Sequence, residues 1–190
     1  MIGLGNPGST YEHTRHNVGF RTVDSLIKTL DITTRKRLFR PYIYGTYRGC
    51  DDIENYIVKS LTFMNNSGCI LESLFSLSHQ RPSDIILLCD NMDLPPGEIR
   101  IKRKGSNAGH NGIRSIMEYA GTGEFTRIYI GVGHPTAGIS VIDHVLGIPS
   151  ENEMNRIETA IGLAADCVVR MLQGESLTRV MNEYTRGIDL

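Results

Sequence analysis

The chain has 190 residues, 40% of them hydrophobic, which suffices for one packed core and falls within the size of a single domain, so residues 1–190 are expected to form one domain. No apolar run approaches the roughly 18 residues of a membrane span, and no charged segment with an apolar stretch and cleavage site opens the chain, so a cytoplasmic protein with no membrane contact is expected. A net charge of −1 excludes a nucleic-acid binder driven by overall charge, and four cysteines without CxxC spacing exclude a disulfide framework and a thiolate zinc site, leaving free, buried thiols as the expectation.

The chain starts two residues before Gly3, so its first strand is expected to be short or cut. Val23, Leu26, Ile27 and Leu30 share one face at helical spacing and predict a first helix over residues 17–30. Tyr42, Tyr44 and Thr46 alternate, and after the turn-like stretch 48–52 comes Tyr56-Ile-Val58, which predicts a strand pair. Ile70, Leu71, Leu74 and Phe75 give a second helical stripe. The continuous run Ile85-Ile-Leu-Leu88 reads as a strand covered on both faces and ending at Asp90. Ile99 and Ile101 alternate with basic residues, as in a strand with one wet face, whereas Ile128-Tyr-Ile130 reads as a buried strand entering the loop Gly131-Val-Gly133. Ile157, Ile161, Ala164 and Val168 define a long C-terminal helix. This interleaving predicts a single-domain α/β fold with a twisted mixed sheet, mostly parallel, and helices on both faces. In such sheets ligands gather where strand carboxyl ends feed into loops, which puts Asn6, Asp90 and the loop after Gly133 along one edge.

Gly3-Leu-Gly-Asn-Pro-Gly8 fits the GxGxxG pattern, with Asp24 as a conceivable ribose ligand, so a dinucleotide oxidoreductase is one reading. The context opposes it: the dinucleotide helix starts inside the fingerprint, whereas here Pro7 and a polar stretch delay helical periodicity until after Asn17. A Walker A loop fails because Gly8 is followed by Ser9-Thr10 and not by lysine. GxSxG is absent and no cysteine sits in an electropositive motif, so water is the expected nucleophile. No metal-ligand cluster has recognisable spacing, which leaves histidine as the base and no metal in the reaction.

Of six histidines, His16 and His110 stand apart. Each precedes asparagine, in Arg15-His-Asn-Val-Gly19 and Gly109-His-Asn-Gly112, and each lies just ahead of a predicted helix, where free N–H groups favour anionic intermediates. The plainer reading is that Asn17 and Asn111 cap those helices, and Asn65 in Thr62-Phe-Met-Asn65 invites the same reading. Neutral carboxamides both donate and accept, so a set of them also suits recognition of a peptide backbone. Arg100, Lys102, Arg103 and Lys104 crowd one short stretch; such a run is a candidate RNA contact or simply a solvated face.

Taken together, these blocks resemble bacterial peptidyl-tRNA hydrolase: Gly3 to Gly8, Tyr11, Thr14-Arg-His-Asn17, Thr62-Phe-Met-Asn65 with Ser67-Gly68, Asp93-Leu-Pro-Pro-Gly97, Gly109-His-Asn-Gly112 and Ile130-Gly-Val-Gly-His-Pro135, in family order over most of the chain. The resemblance implies an esterase that frees a peptide from the terminal ribose of tRNA, with peptidyl-tRNA as partner, no cofactor and a monomeric state. It implies His16 as general base, Asp90 as the group orienting it, and Asn111 as a positioner of water or of the tetrahedral intermediate. It further implies that Asn6 and Asn65 hold the peptide ester, that Tyr11 and Phe63 border the 3′ end and that His110 supports the cleft; the basic run adds Lys102 as an expected tRNA contact. Departures from the family pattern are Cys89-Asp-Asn-Met-Asp93 in place of His-Asp-Glu-Leu-Asp, Asn107 and Ala108 where glycines are common, and Tyr129 where a basic residue is common. A catalytically silent RNA-binding relative is a further reading, opposed by the presence of His16, Asp90 and Asn111.

Overall fold

A computed structural model of the chain describes residues 1–184. In chain order its elements are β1 (Ile2–Gly3), α1 (Val18–Thr29), β2 (Arg35–Lys36), β3 (Tyr42–Arg48), β4 (Glu54–Ser60), α2 (Leu71–Ser78), β5 (Ile86–Asn91), β6 (Ile99–Lys102), α3 (Asn111–Ala120), β7 (Thr126–Gly131), α4 (Val141–Leu146), α5 (Glu151–Leu172) and α6 (Leu177–Tyr184). Short 3-10 segments precede α1 at Ser9–Tyr11 and Arg15–Asn17, and a longer one, Met64–Ile70, leads into α2. α1 thus starts well beyond Gly8, and the dinucleotide fingerprint lacks its helix.

All seven strands form one sheet in the order β2-β3-β4-β1-β5-β7-β6. β1 pairs in parallel with β4 and β5, and β5 with β7; the β2–β3, β3–β4 and β6–β7 pairs are antiparallel. The sheet is mixed, as expected, but it is parallel only at its centre: three of its six pairings among the described residues are parallel, so "mostly parallel" is corrected to half. The reason is physical. A parallel neighbour needs a crossover, whereas β3 returns directly onto β4 through a short turn, and β6, which follows β5 closely and is joined to β7 through α3, runs opposite to β7, so each edge closes as an antiparallel pair. β1 is brief, yet the N–H of Val58 donates to Met1 and that of Leu4 to Leu88, so the pairing runs past its two residues on both sides.

Both faces are covered. α1 and α5 seal one face over Val23, Leu26, Leu88, Ile128, Ile161 and Val168, and α2, α3 and the 3-10 run seal the other over Leu4, Leu71, Leu87 and Ile116. Two-sided burial is what the unbroken apolar runs of β5 and β7 require. Helix α1 is seated unusually close to the sheet. A methyl group at Gly19 would collide with the carbonyl of Leu88 and lie 2.6–2.7 Å from the backbone of Leu4, and the N–H of Phe20 donates to Leu4 at 3.1 Å. Cys89 and Cys167 are buried free thiols as expected, but Cys50 is exposed, because it falls in the turn between β3 and β4. No helix of the described residues is long and apolar enough to cross a membrane.

Candidate active site

The carboxyl ends of the parallel strands converge on one edge, and a cleft of about 350 Å³ opens there between β5, the loop 107–110, the start of α3 and helix α4. Its wall holds His16, Asp90, His110 and Asn111 together, from positions 16 to 111 of the sequence, along with Asn91, Tyr129, Val141 and Ile142. The edge expected for Asn6 and Asp90 is therefore the one the sheet presents.

Asp90 is the hub. It stands one residue before the end of β5, buried, and a single carboxylate oxygen is shared by both imidazoles: Nδ1 of His16 at 2.8 Å and Nε2 of His110 at 3.0 Å. The two rings lie 4.9 Å apart. Their second nitrogens separate their roles. Nδ1 of His110 accepts from the N–H groups of Gly112 and Ile113 at 3.1 and 3.3 Å, so this ring caps α3 and its hydrogen must sit on Nε2, toward Asp90. His16 donates from Nδ1 to Asp90, which leaves Nε2 with a lone pair for water. Sequence context gave both histidines equal standing; the free lone pair belongs to His16.

Electrostatics agree with that assignment. Burial alone would raise the Asp90 carboxyl, but the attraction and hydrogen bonds of His16 and His110 outweigh it and hold the group well below the usual carboxylate range. For His16, burial disfavours the cation, yet the charge of Asp90 and its hydrogen bond prevail, and the imidazole is raised above its ordinary 6.5. A general base works only when unprotonated, so kcat/KM should climb with pH along a limb whose midpoint lies above 6.5. Asp90→Asn removes the raising influence and leaves the burial, so the same limb should move to lower pH. A pH–rate profile of both proteins checks this, and an unmoved limb would assign it to another group.

His16 is placed by its neighbours. Arg15 is buried and donates to the carbonyls of His144 and Gly147 and to Glu153, which fastens the 3-10 turn to the end of α4 and the start of α5. Asn17 does not cap α1. Its carboxamide instead pairs with the backbone of Asn6, accepting its N–H at 2.8 Å and donating to its carbonyl at 2.9 Å. Asn6 in turn accepts the N–H of Met64 on its carboxamide oxygen at 2.8 Å, and its NH₂ group has no partner among the described residues. The side-chain sulfur of Met64 packs against Gly112, so the 3-10 run lies on the start of α3 beside Asn111.

Asn65 and Asn111 are both exposed, and neither caps a helix: position 63 precedes the 3-10 run and His110 is the cap of α3. Tyr11 and Phe63 meet edge to face with ring centroids 6.3 Å apart, and Phe63 is 57% exposed. Lys102 does not reach the cleft. It pairs with Arg127, three residues before the Ile130 that faces Asp90, and so lies about 10 Å back along the strands. Arg100 pairs instead with Tyr129, which lines the cleft, and is the member of the basic run registered with the site.

Sequence reasoning missed Arg127 and marked Asn107 only as a departure from the family pattern. Arg127 is fully buried, stacks on Phe125 with its guanidinium carbon 4.4 Å from the ring centroid, and donates to the carbonyls of Gly105 and Gly123, pinning the loop that carries His110. Asn107 accepts the N–H of Gly109 at 2.9 Å and shapes the same loop, where Ala108 takes the left-handed φ of 46° that explains why glycine suits this position.

Could the triad hold an ion? His16, Asp90 and His110 place one donor atom each within 4.8 Å of one another. Donors arranged tetrahedrally around zinc at its usual bond lengths stand about 3.3 Å apart. The nitrogens here approach the Asp90 oxygen at 2.8 and 3.0 Å, and the backbone already engages the other nitrogen of His110, which is hydrogen-bond geometry.

A sequence model of the family described as "Peptidyl-tRNA hydrolase" matches residues 1–189. Among solved structures, peptidyl-tRNA hydrolase from Acinetobacter baumannii is 34% identical, with a TM-score of 0.88 over 97% of this chain and 93% of that one. A peptidyl-tRNA hydrolase in complex with N-propanol gives the same identity, coverage and TM-score, as does an arginine-to-glutamine mutant of the Acinetobacter enzyme.

Proposed function

Since this chain belongs to the peptidyl-tRNA hydrolase family and hydrolyses the ester of peptidyl-tRNA, releasing peptide and free tRNA, we propose that the nucleophile is a water molecule activated by His16. The observation that carries this reading is the asymmetric sharing of one Asp90 oxygen by two imidazoles, of which only His16 keeps a nitrogen free to face the cleft. Nε2 takes a proton as the water oxygen attacks the ester carbonyl. Asp90 accepts the Nδ1 hydrogen and stabilises the imidazolium, which then protonates the departing ribose oxygen, so the proton taken from water leaves on the tRNA. Asn111, at the exposed start of α3, donates to the water or to the developing oxyanion, where the helix N-terminus favours negative charge. The NH₂ group of Asn6 and the carboxamide of Asn65 hold the peptide ester, Tyr11 and Phe63 border the terminal nucleoside, and Arg100, with Lys102 behind it, meets the tRNA backbone. The enzyme works as a cytoplasmic monomer without a cofactor and recycles tRNA from prematurely released peptidyl-tRNA.

The test is release of N-acetyl-amino acid from labelled N-acetyl-aminoacyl-tRNA, run with and without EDTA on tRNA folded beforehand. Turnover is expected in both arms at the same rate. Loss on chelation that a specific divalent ion restores, with tRNA fold unchanged, would replace the base mechanism with a metal-bound hydroxide.

A further inference from the structure

A second basic feature lies far from Lys102 in the sheet. Arg35, Lys36, Arg37 and Arg40 place four cations within six residues, in a chain whose net charge is −1, and none of them forms an ion pair with a carboxylate among the described residues. Between them Leu38 and Phe39 are 80% and 92% exposed, and Phe39 has a φ of 60°, in the left-handed region that a bulky side chain rarely enters.

Topology puts this segment on the edge of the sheet that holds the cleft. β3 runs antiparallel to β4, so Tyr42, its first residue, faces Ser60, the last residue of β4, and the chain just before Tyr42 lies at the carboxyl end of the parallel strands. The N–H of Leu61 donates to the carbonyl of Pro41 at 2.7 Å, and Phe63 follows two residues later, within roughly 10 Å along the chain. The cations therefore stand beside the Tyr11–Phe63 rim, on the side of the site away from β6. Charged residues on a short edge strand such as β2 also discourage pairing with a second sheet. That accounts for Arg35 and Lys36. It does not account for an exposed Leu-Phe pair, which invites the very association that edge charges oppose, nor for the strained backbone at Phe39.

We propose that residues 35–40 form an RNA contact for the nucleotides preceding the terminal nucleoside of peptidyl-tRNA: the four cations bind their phosphates, and Phe39 stacks on an unpaired base of the 3′ end. The contact rests on the reading that Phe63 borders the terminal nucleoside. Unpaired nucleotides are held in general by a basic track with aromatic platforms, and this segment supplies both within six residues.

Two variants test it, one with glutamine at Arg35, Lys36, Arg37 and Arg40, the other Phe39→Ala; both change exposed side chains, and circular dichroism confirms their fold. The glutamine variant should raise KM for N-acetyl-aminoacyl-tRNA at low salt by about tenfold or more, leave kcat unchanged, and reduce the slope of log(kcat/KM) against log[salt] by about 3, as expected for four lost phosphate contacts. Phe39→Ala should raise KM roughly fivefold or more with the salt slope unchanged. Fluorescence anisotropy with deacylated tRNA reads the same contact without turnover. Failure of the wild-type enzyme to turn over substrate would therefore strike the functional reading alone. Unchanged affinity and salt slope in both variants would overturn the contact. Intact tRNA binding by a glutamine variant that no longer binds vesicles containing phosphatidylserine would also overturn it, in favour of a membrane surface.

Discussion

Alanine at His16 is expected to lower kcat by about 10²–10⁴-fold, the usual contribution of a positioned general base, with little change in KM. The ring points one nitrogen inward to Asp90 and the other into the cleft, so removing it takes away the proton acceptor without removing a group that grips tRNA. The side chain is enclosed but fills no large part of the core, and Arg15 and Asn17 still tie down the turn, so the variant should fold. Steady-state kinetics on N-acetyl-aminoacyl-tRNA, with circular dichroism on the same preparation, decide the matter. Near-normal kcat in a folded variant would eliminate His16 as the base.

Asp90→Asn is expected to be nearly as damaging, with kcat falling by about 10²–10⁴-fold, because a carboxamide disturbs hydrogen placement on the base. A carboxylate oxygen accepts from both imidazoles at once. An asparagine that turns its NH₂ toward the histidines forces Nδ1 of His16 to accept, which puts the hydrogen on Nε2 and presents water with a donor where it needs an acceptor. His110 cannot adapt in the same way while its Nδ1 receives the N–H groups of α3, so the conflict falls on His16. Groups acting as a unit give non-additive losses, and the double variant should be little slower than His16→Ala alone. Fully multiplicative losses would leave His16 catalytic and detach Asp90 from it.

The centre of the fold and the heart of the site were legible in the sequence for a common reason: both are written in local pattern. The buried runs at 85–88 and 128–130 declare strands covered on two faces, and β5 and β7 occupy them. His16 and Asp90 are conspicuous because one precedes a helix and the other closes such a run. What escaped is what long-range pairing decides. β2 has only Arg35 and Lys36, with nothing apolar to announce a strand, and exists because β3 offers it an edge. Lys102 and Arg100 look alike in sequence, and only the register against β7 shows which one stands opposite the cleft wall. Asparagine before a helix commonly caps it, which is the plainer of two readings for Asn17, yet a backbone 11 residues away claims its carboxamide. At the start of α3 the plainer reading of Asn111 fails as well, since the cap there is the histidine before it.

The seat of α1 has a consequence for how this site travels through sequence space. At Gly19 the helix touches the strands of Leu4 and Leu88 main chain to main chain, with no side chain between them. Three residues before that point comes His16, two residues after Leu4 comes Asn6, and two after Leu88 comes Asp90. The gap between base and carboxylate is therefore gauged by peptide groups, whose dimensions never vary, and not by the aliphatic residues that fill the core. Those can be exchanged wholesale while the gauge stays fixed, so one catalytic spacing can ride on interiors of very different composition, provided that this one residue never acquires a side chain.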